Sequence, residues 1–137
     1  MYTYRASSTG LTGVIPTWVQ EGGHRAWINR MKKPQVRERL FLDIRKELDQ
    51  QPPEGILMVG FNKASMSRKY LGKTVAEAAK MRNQSPEEAI VDMIIEDDNR
   101  IQCIYFSMSE ENIRKKIQIP WVSFCSDAGS YSDISKK

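Results

Sequence analysis

Asp127 is the side chain whose position in the sequence is most typical of a reacting group. It follows an apolar run, Trp121 to Cys125, that predicts a strand, so the carboxylate would lie at the carboxyl end of that strand. Ligands bind at that end of the strands in α/β sheets and barrels. A carboxylate there can bind a metal ion or take a proton from metal-bound water. It can also cap a turn with Ser126 and Gly129, and the spacing alone favours the turn.

The remaining sequence contains no complete set of catalytic residues. It has one histidine, His24, at a polar helix start, where a surface or capping role is expected. The sequence contains no H-E-x-x-H, no H-x-H, no phosphate-binding loop, no G-x-G-x-x-G and no G-x-S-x-G. From residue types and spacing alone, Asp127 is therefore the one candidate for chemistry.

The two cysteines, Cys103 and Cys125, are far apart and form no C-x-x-C pair, which argues against a zinc ribbon and a disulfide scaffold. Both lie in apolar, strand-like runs, where a buried reduced thiol is expected. There is no apolar segment of membrane-spanning length and no secretory h-region. We therefore expect a globular, cytoplasmic protein with no membrane contact.

The net charge is +4, from 21 Lys and Arg and 17 Asp and Glu. A nucleic-acid-binding protein usually concentrates its positive charge on one face. Here the basic residues are spread along the chain and mostly alternate with acidic ones, which favours solvated helix faces. We expect no nucleic-acid partner, although a basic nucleic-acid-binding domain remains the third of three functional alternatives.

Apolar spacing predicts an alternation of helices and strands. A helix over His24 to Met31 is followed by one that Pro34 opens. Thr74 with Glu77, and Ser85 with Pro86 and Glu88, have the spacing of capped helix starts. Strands are predicted at Tyr2–Tyr4, Ile56–Gly60, Ile101–Ser107 and Ile119–Cys125, with a helix capped by Ser109 before the last. Ser7–Gly10 and Asn62–Gly72 are predicted to be irregular.

Such alternation is typical of an α/β fold with parallel strands. The sequence opens inside a predicted strand and closes just after one, which indicates a piece of a larger fold. A short parallel sheet with open edges can pair with other chains, so self-association through the sheet edges is expected.

Six segments, taken in order, resemble one enzyme family. Residues 2–11, YTYRASSTGL, are similar to the family stretch D-x-Y-P-Y-x-A-x-x-T-x-L, and residues 15–23, IPTWVQEGG, to L-P-x-W-x-x-E-G-G. Residues 72–79, GKTVAEAA, match G-x-[ST]-[LV]-x-E-x-A. Residues 85–89, SPEEA, and 106–113, FSMSEENI, follow in the family order, and 126–128, SDA, match its terminal S-D-[AG]. The family is the N-acyl-D-amino-acid deacylase (D-aminoacylase) group of the amidohydrolase superfamily.

The resemblance implies a zinc-dependent (β/α)8 barrel that hydrolyses N-acyl-D-amino acids to a carboxylate and a free D-amino acid. Residues 1–137 would be a single partial amidohydrolase domain holding the last strands and helices of the barrel. An insertion within about 18–81 would cover the site. Asp127 would be a metal ligand and the general base, then the general acid toward the leaving amine. Tyr2 or Tyr4 would lie near the substrate.

The sequence also departs from the family pattern. The family's H-x-H, its metal-bridging Cys and its two further His ligands lie upstream of the part seen here, and neither Cys103 nor Cys125 matches the ligand Cys. Thr3 precedes Tyr4 where the family usually has Pro. We therefore expect a C-terminal-half fragment that binds no zinc and is inactive alone. The main alternative is a small stand-alone α/β protein-interaction module.

Overall fold

The computed structural model describes residues 6–123 and residue 125, which form seven α-helices, two short 3-10 helices and one three-stranded sheet. The strands are β1 (Ser7–Gly10), β2 (Ile56–Gly60) and β3 (Gln102–Tyr105). The α-helices are α1 (Thr17–Gln20), α2 (His24–Met31), α3 (Pro34–Gln50), α4 (Ala64–Tyr70), α5 (Val75–Arg82), α6 (Pro86–Asp97) and α7 (Glu110–Ile117). The 3-10 helices span Leu11–Val14 and Pro53–Gly55. No described helix is both long and apolar enough to span a bilayer.

The sheet corrects the predicted fold class. Its order is β1-β3-β2, and β3 pairs antiparallel with both neighbours, so the expected partial (β/α)8 barrel with parallel strands is wrong. Parallel neighbours would require the connection to cross from one end of the sheet to the other. Three helices separate β2 from β3, but this connection starts after Gly60 and ends beside it at Gln102, at the same end of the sheet. The alternation of elements along the sequence does not reveal that direction.

The helix starts follow local chemistry, and the predictions for them are confirmed. Pro34 occupies the first turn of α3. The hydroxyl of Thr74 accepts from the backbone of Glu77, whose carboxylate accepts from the backbone of Thr74 in return, and Ser85 and Glu88 form the same capping box on α6. Each box satisfies two backbone donors that have no partner inside the helix.

The core lies between the sheet and the helices. Ile56 and Met58 of β2 alternate into it with Cys103 and Tyr105 of β3. Helix α6 packs against α2, α3 and α5 and is the most buried helix of the described chain. The buried stripe of α3 consists of Leu40, Ile44 and Leu48, at the helical spacing that the sequence predicts.

Four secondary-structure predictions fail or are not testable. Residues Ser7–Gly10, predicted to be a loop, form β1, and the segment predicted to be irregular after Asn62 contains α4. Residues 119–123 and 125 belong to no strand, although a strand was predicted there. The strand predicted at Tyr2–Tyr4 lies outside the described residues.

Candidate functional site

The three residues that the sequence nominates for the site lie outside the described part of the chain. These residues are Asp127, Tyr2 and Tyr4, and their roles stay predictions. The structure does describe the two segments that lead to them. These segments are β1, which follows the tyrosines, and β3 with α7, which precede the aspartate.

The two lead-in segments meet at one end of the sheet. Ser7, the first residue of β1, pairs with Tyr105, the last residue of β3, and Gly10 pairs with Gln102. The amino end of β1 and the carboxyl end of β3 therefore lie at the same end of the sheet, and the described chain continues from β3 into α7.

The entry strand is held by hydrogen bonds from distant parts of the chain. The Tyr105 hydroxyl donates to the Gly10 carbonyl at 2.9 Å, and the Leu11 amide donates to the Arg100 carbonyl at 2.8 Å. Burial raises the pKa of Tyr105, so its hydroxyl remains a donor at all physiological pH values. A Cβ on Gly13 would lie 3.2 Å from that hydroxyl oxygen, which explains a residue without a side chain there.

The motif at residues 15–23 has a structural explanation. Gly22 and Gly23 have φ of +84° and +82°, a conformation that side chains disfavour, and they turn the chain from α1 into α2. The Trp18 indole nitrogen donates to Asp43 of α3 at 3.0 Å, and the Arg39 guanidinium lies 4.6 Å from its ring centroid. The hydrogen bond from Trp18 lowers the pKa of Asp43. These contacts attach α1 to α3.

The motifs at residues 72–79 and 85–89 also correspond to local structure. Gly72 has a φ of +74° and ends the turn after α4, and its amide donates to the Met58 carbonyl at 2.9 Å. Thr74 and Ser85 are the caps of α5 and α6. In the described residues, these motif positions therefore have structural roles as turns and helix caps.

No sequence pattern predicts the buried carboxylate of Asp97. This side chain, at the end of α6, is fully buried and accepts hydrogen bonds from the backbone amides of Asn62 at 2.9 Å and Lys63 at 2.8 Å. It accepts from the amide of Lys63, the N-cap residue of α4, which makes no side-chain capping bond itself, and from the amide before it. The acceptor lies 34 and 35 residues from its donors, so no local pattern could reveal it.

The acidic residues of α6 also bind the arginines of neighbouring helices. Asp92 pairs with Arg37 of α3 at 2.6 Å and accepts from the Gln84 side chain at 2.7 Å. Two further pairs, Arg45–Glu87 and Arg82–Glu96, join α6 to α3 and α5. Much of the positive charge of α3 and α5 is thus opposed by carboxylates, as expected for solvated and packed helix faces.

The described residues do not fit a zinc site. Within residues 6–123 and 125, no three His, Cys, Asp or Glu side chains lie together as a metal would require. His24 is instead 3.0 Å from Asp98, with its ring edge against Trp27. Burial raises the pKa of the Cys103 thiol to about 12, which disfavours the thiolate that binds metals.

No protein-family model, no curated protein and no solved structure matches this chain.

Proposed function

We propose that this chain is a segment of an N-acyl-D-amino-acid deacylase, in which Asp127 is the catalytic carboxylate and Tyr2 or Tyr4 contacts the substrate. The family-like motifs occur in order along the sequence. The observation that supports the proposal most is the β1–β3 pairing, since it brings the strand after Tyr4 beside the strand that leads toward Asp127.

The proposed reaction is hydrolysis of an amide bond. The Asp127 carboxylate accepts a proton from the attacking water as the new C–O bond forms at the acyl carbon. It then gives that proton to the leaving nitrogen as the C–N bond breaks, so the products are a carboxylate and a D-amino acid. A tyrosine hydroxyl can donate a hydrogen bond to a carbonyl or carboxylate oxygen of the substrate.

Zinc would supply a polarised water in the enzymes that the sequence resembles. The described residues offer no ligand set for it, and Asp127 alone is one carboxylate. We therefore expect the isolated chain to bind substrate weakly and to turn it over at no measurable rate.

Binding is the first test of this proposal. In NMR titrations, N-acetyl-D-amino acids should shift signals of the purified full chain more strongly than their L enantiomers. The double variant Tyr2→Phe/Tyr4→Phe should weaken this binding, while Tyr131→Phe, an equivalent change close to Asp127 in the sequence, should not. Equal shifts with D and L ligands, or none with either, would refute the proposal.

A second test separates the roles of the carboxylates. Deacylation is measured with and without added zinc for the wild type, for Asp127→Asn and for Asp133→Asn. Asp133 also follows a serine, which makes it a matched control. No turnover is the expected result. Turnover that Asp127→Asn lowers by about 10²–10⁴-fold would retain the proposed base but refute the inactivity of the isolated chain. Turnover that Asp127→Asn leaves unchanged would refute the role of Asp127.

One observation favours a second candidate function, a protein-interaction module. Phe106, Ile117 and Trp121 are large apolar side chains that are 51%, 48% and 84% exposed, and all three follow β3 within 16 residues of sequence. Where exposed apolar side chains form one continuous patch, that patch often marks a protein contact. A Phe106→Ser/Trp121→Ser double variant that leaves a concentration-dependent sedimentation coefficient unchanged would count against this module as a self-associating surface.

A further inference from the structure

Helix α7 has few contacts with the rest of the described chain. Ile113 is its one buried residue, and the other seven residues of the helix are exposed. Ile113 is also absent from the contiguous buried core that joins the sheet to α2, α3 and α6. Ile113 is therefore the one side chain of the helix that is buried enough to hold it in position.

The polar contacts of this region are all local. Ser109 caps the helix, and the pairs Arg114–Glu110 and Lys115–Glu111 lie within it at 3.4 Å and 2.6 Å. Among the described residues, no hydrogen bond or ion pair joins residues 107–123 to any residue before Phe106. These contacts stabilise the helix itself but do not attach it to the body.

Helix α6 is a contrasting case in the same molecule. Seven of its twelve residues are buried. It holds α3, α5 and the start of α4 through side chains that include Asp92, Glu96 and Asp97. Opening α6 would therefore disrupt the whole core, whereas opening residues 107–123 would expose one buried side chain, Ile113, and the half-buried Met108, Ile119 and Val122. Regions with few buried contacts open at lower free energy than the core.

We propose that residues 107–123 form an arm that opens and closes while residues 7–106 remain folded, with Ile113 as the contact that closes it. An eight-residue helix is marginal in water by itself, so the arm loses its helix when Ile113 leaves its contact. In the sequence, the arm lies between β3 and Asp127. The regulatory meaning of this motion rests on the proposed function, since it would control when the catalytic carboxylate is in place.

Hydrogen–deuterium exchange of the full-length chain tests the arm directly. In the wild type, α7 peptides should exchange at least about tenfold faster than α6 peptides but slower than an unfolded chain. Ile113→Ala should speed exchange in residues 107–123 by about 10- to 100-fold, as expected for the loss of one buried Ile side chain, and leave α3 and α6 unchanged. Ile117→Ala makes the same chemical change on an exposed position of the same helix and should leave exchange unaltered.

Three results would overturn the arm. In the first, the amides of α7 exchange at the rate of those of α6, and Ile113→Ala speeds exchange in all helices together. The chain would then unfold as one cooperative unit. The second is complete α7 exchange at the shortest time, since no closed arm would exist. The third is equal effects of Ile113→Ala and Ile117→Ala, since Ile113 would not be the closing contact. Exchange is measured without substrate, so failure of the deacylase proposal would leave each result readable.

Discussion

The hydrogen bonds of the Asp97 carboxylate can be weakened without changing the size of the side chain, so their contribution to stability can be measured. It is fully buried and accepts hydrogen bonds from the amides of Asn62 and Lys63 at the start of α4. In Asp97→Asn the side chain keeps its size, but an NH2 group replaces one acceptor and meets a backbone donor. One hydrogen bond is lost, and the other is no longer charge-assisted.

The size of the effect follows from these two changes. A hydrogen bond to a charged group contributes about 1.5–3 kcal/mol, and a neutral one roughly half of that. Asn62 and Lys63 are exposed residues, so water can replace part of the lost bonding. We expect Asp97→Asn to lower the free energy of unfolding by about 2 kcal/mol.

Urea unfolding followed by tryptophan fluorescence measures this change. A loss of about 2 kcal/mol moves the midpoint by about 1 M at the slopes usual for small proteins. The matched control is Asp98→Asn, which alters the adjacent residue, whose side chain is 63% exposed and pairs with His24. Asn tolerates the left-handed conformation of Asp98, and surface pairs contribute about 0–1 kcal/mol. Equal midpoints for the two variants would refute the cap.

Three further predictions concern stability and thiol chemistry. Burial raises the pKa of Glu87, but the hydrogen bond from Arg45 and its charge outweigh it, so the pKa lies below the ordinary 4.5. Such a carboxylate stabilises the fold above its ordinary pKa, so the stability deficit of Glu87→Gln in urea at pH 7 should shrink as pH falls below 4.5; a deficit independent of pH would contradict this. Gly72→Ala should lower the free energy of unfolding by about 1 kcal/mol in thermal melts, because φ is +74° and a side chain is strained there even though no atom would clash with its Cβ. Gly72→Asn should lower it by less, because Asn adopts positive φ more readily than Ala. At pH 8, Ellman's reagent should react quickly with exposed Cys125 and not with buried Cys103, and Cys125→Ser should remove the fast phase.

The helices were predictable to the extent that their determinants are local. The Thr74 and Ser85 capping boxes involve residues three positions apart, and the buried stripe of α3 repeats at helical spacing. Helix α4 was missed because its N-cap residue, Lys63, is not a capping type and its cap, Asp97, comes from α6. A cap of that kind has no trace in the local sequence.

The candidate site was predictable only as far as the resemblance reaches. Asp127, Tyr2 and Tyr4 remain predictions, and so do the partial amidohydrolase domain and its insertion within about 18–81. The structure contributes the β1–β3 pairing, which joins residues about 95 positions apart in sequence. Such long-range pairing depends on how the whole core assembles, so neither motif predicts it alone.

The sequence by itself determined where most helices begin and end and which side chains they bury, because capping and helical periodicity act over three or four residues. Only the tertiary structure decided the direction of the strands, the burial of Asp97 and the weak attachment of α7. A strand has the same alternating pattern whether its neighbour runs parallel or antiparallel. Here the helices between β2 and β3 bring the chain back to the end of the sheet where β2 stops, and β3 then ends beside the start of β1.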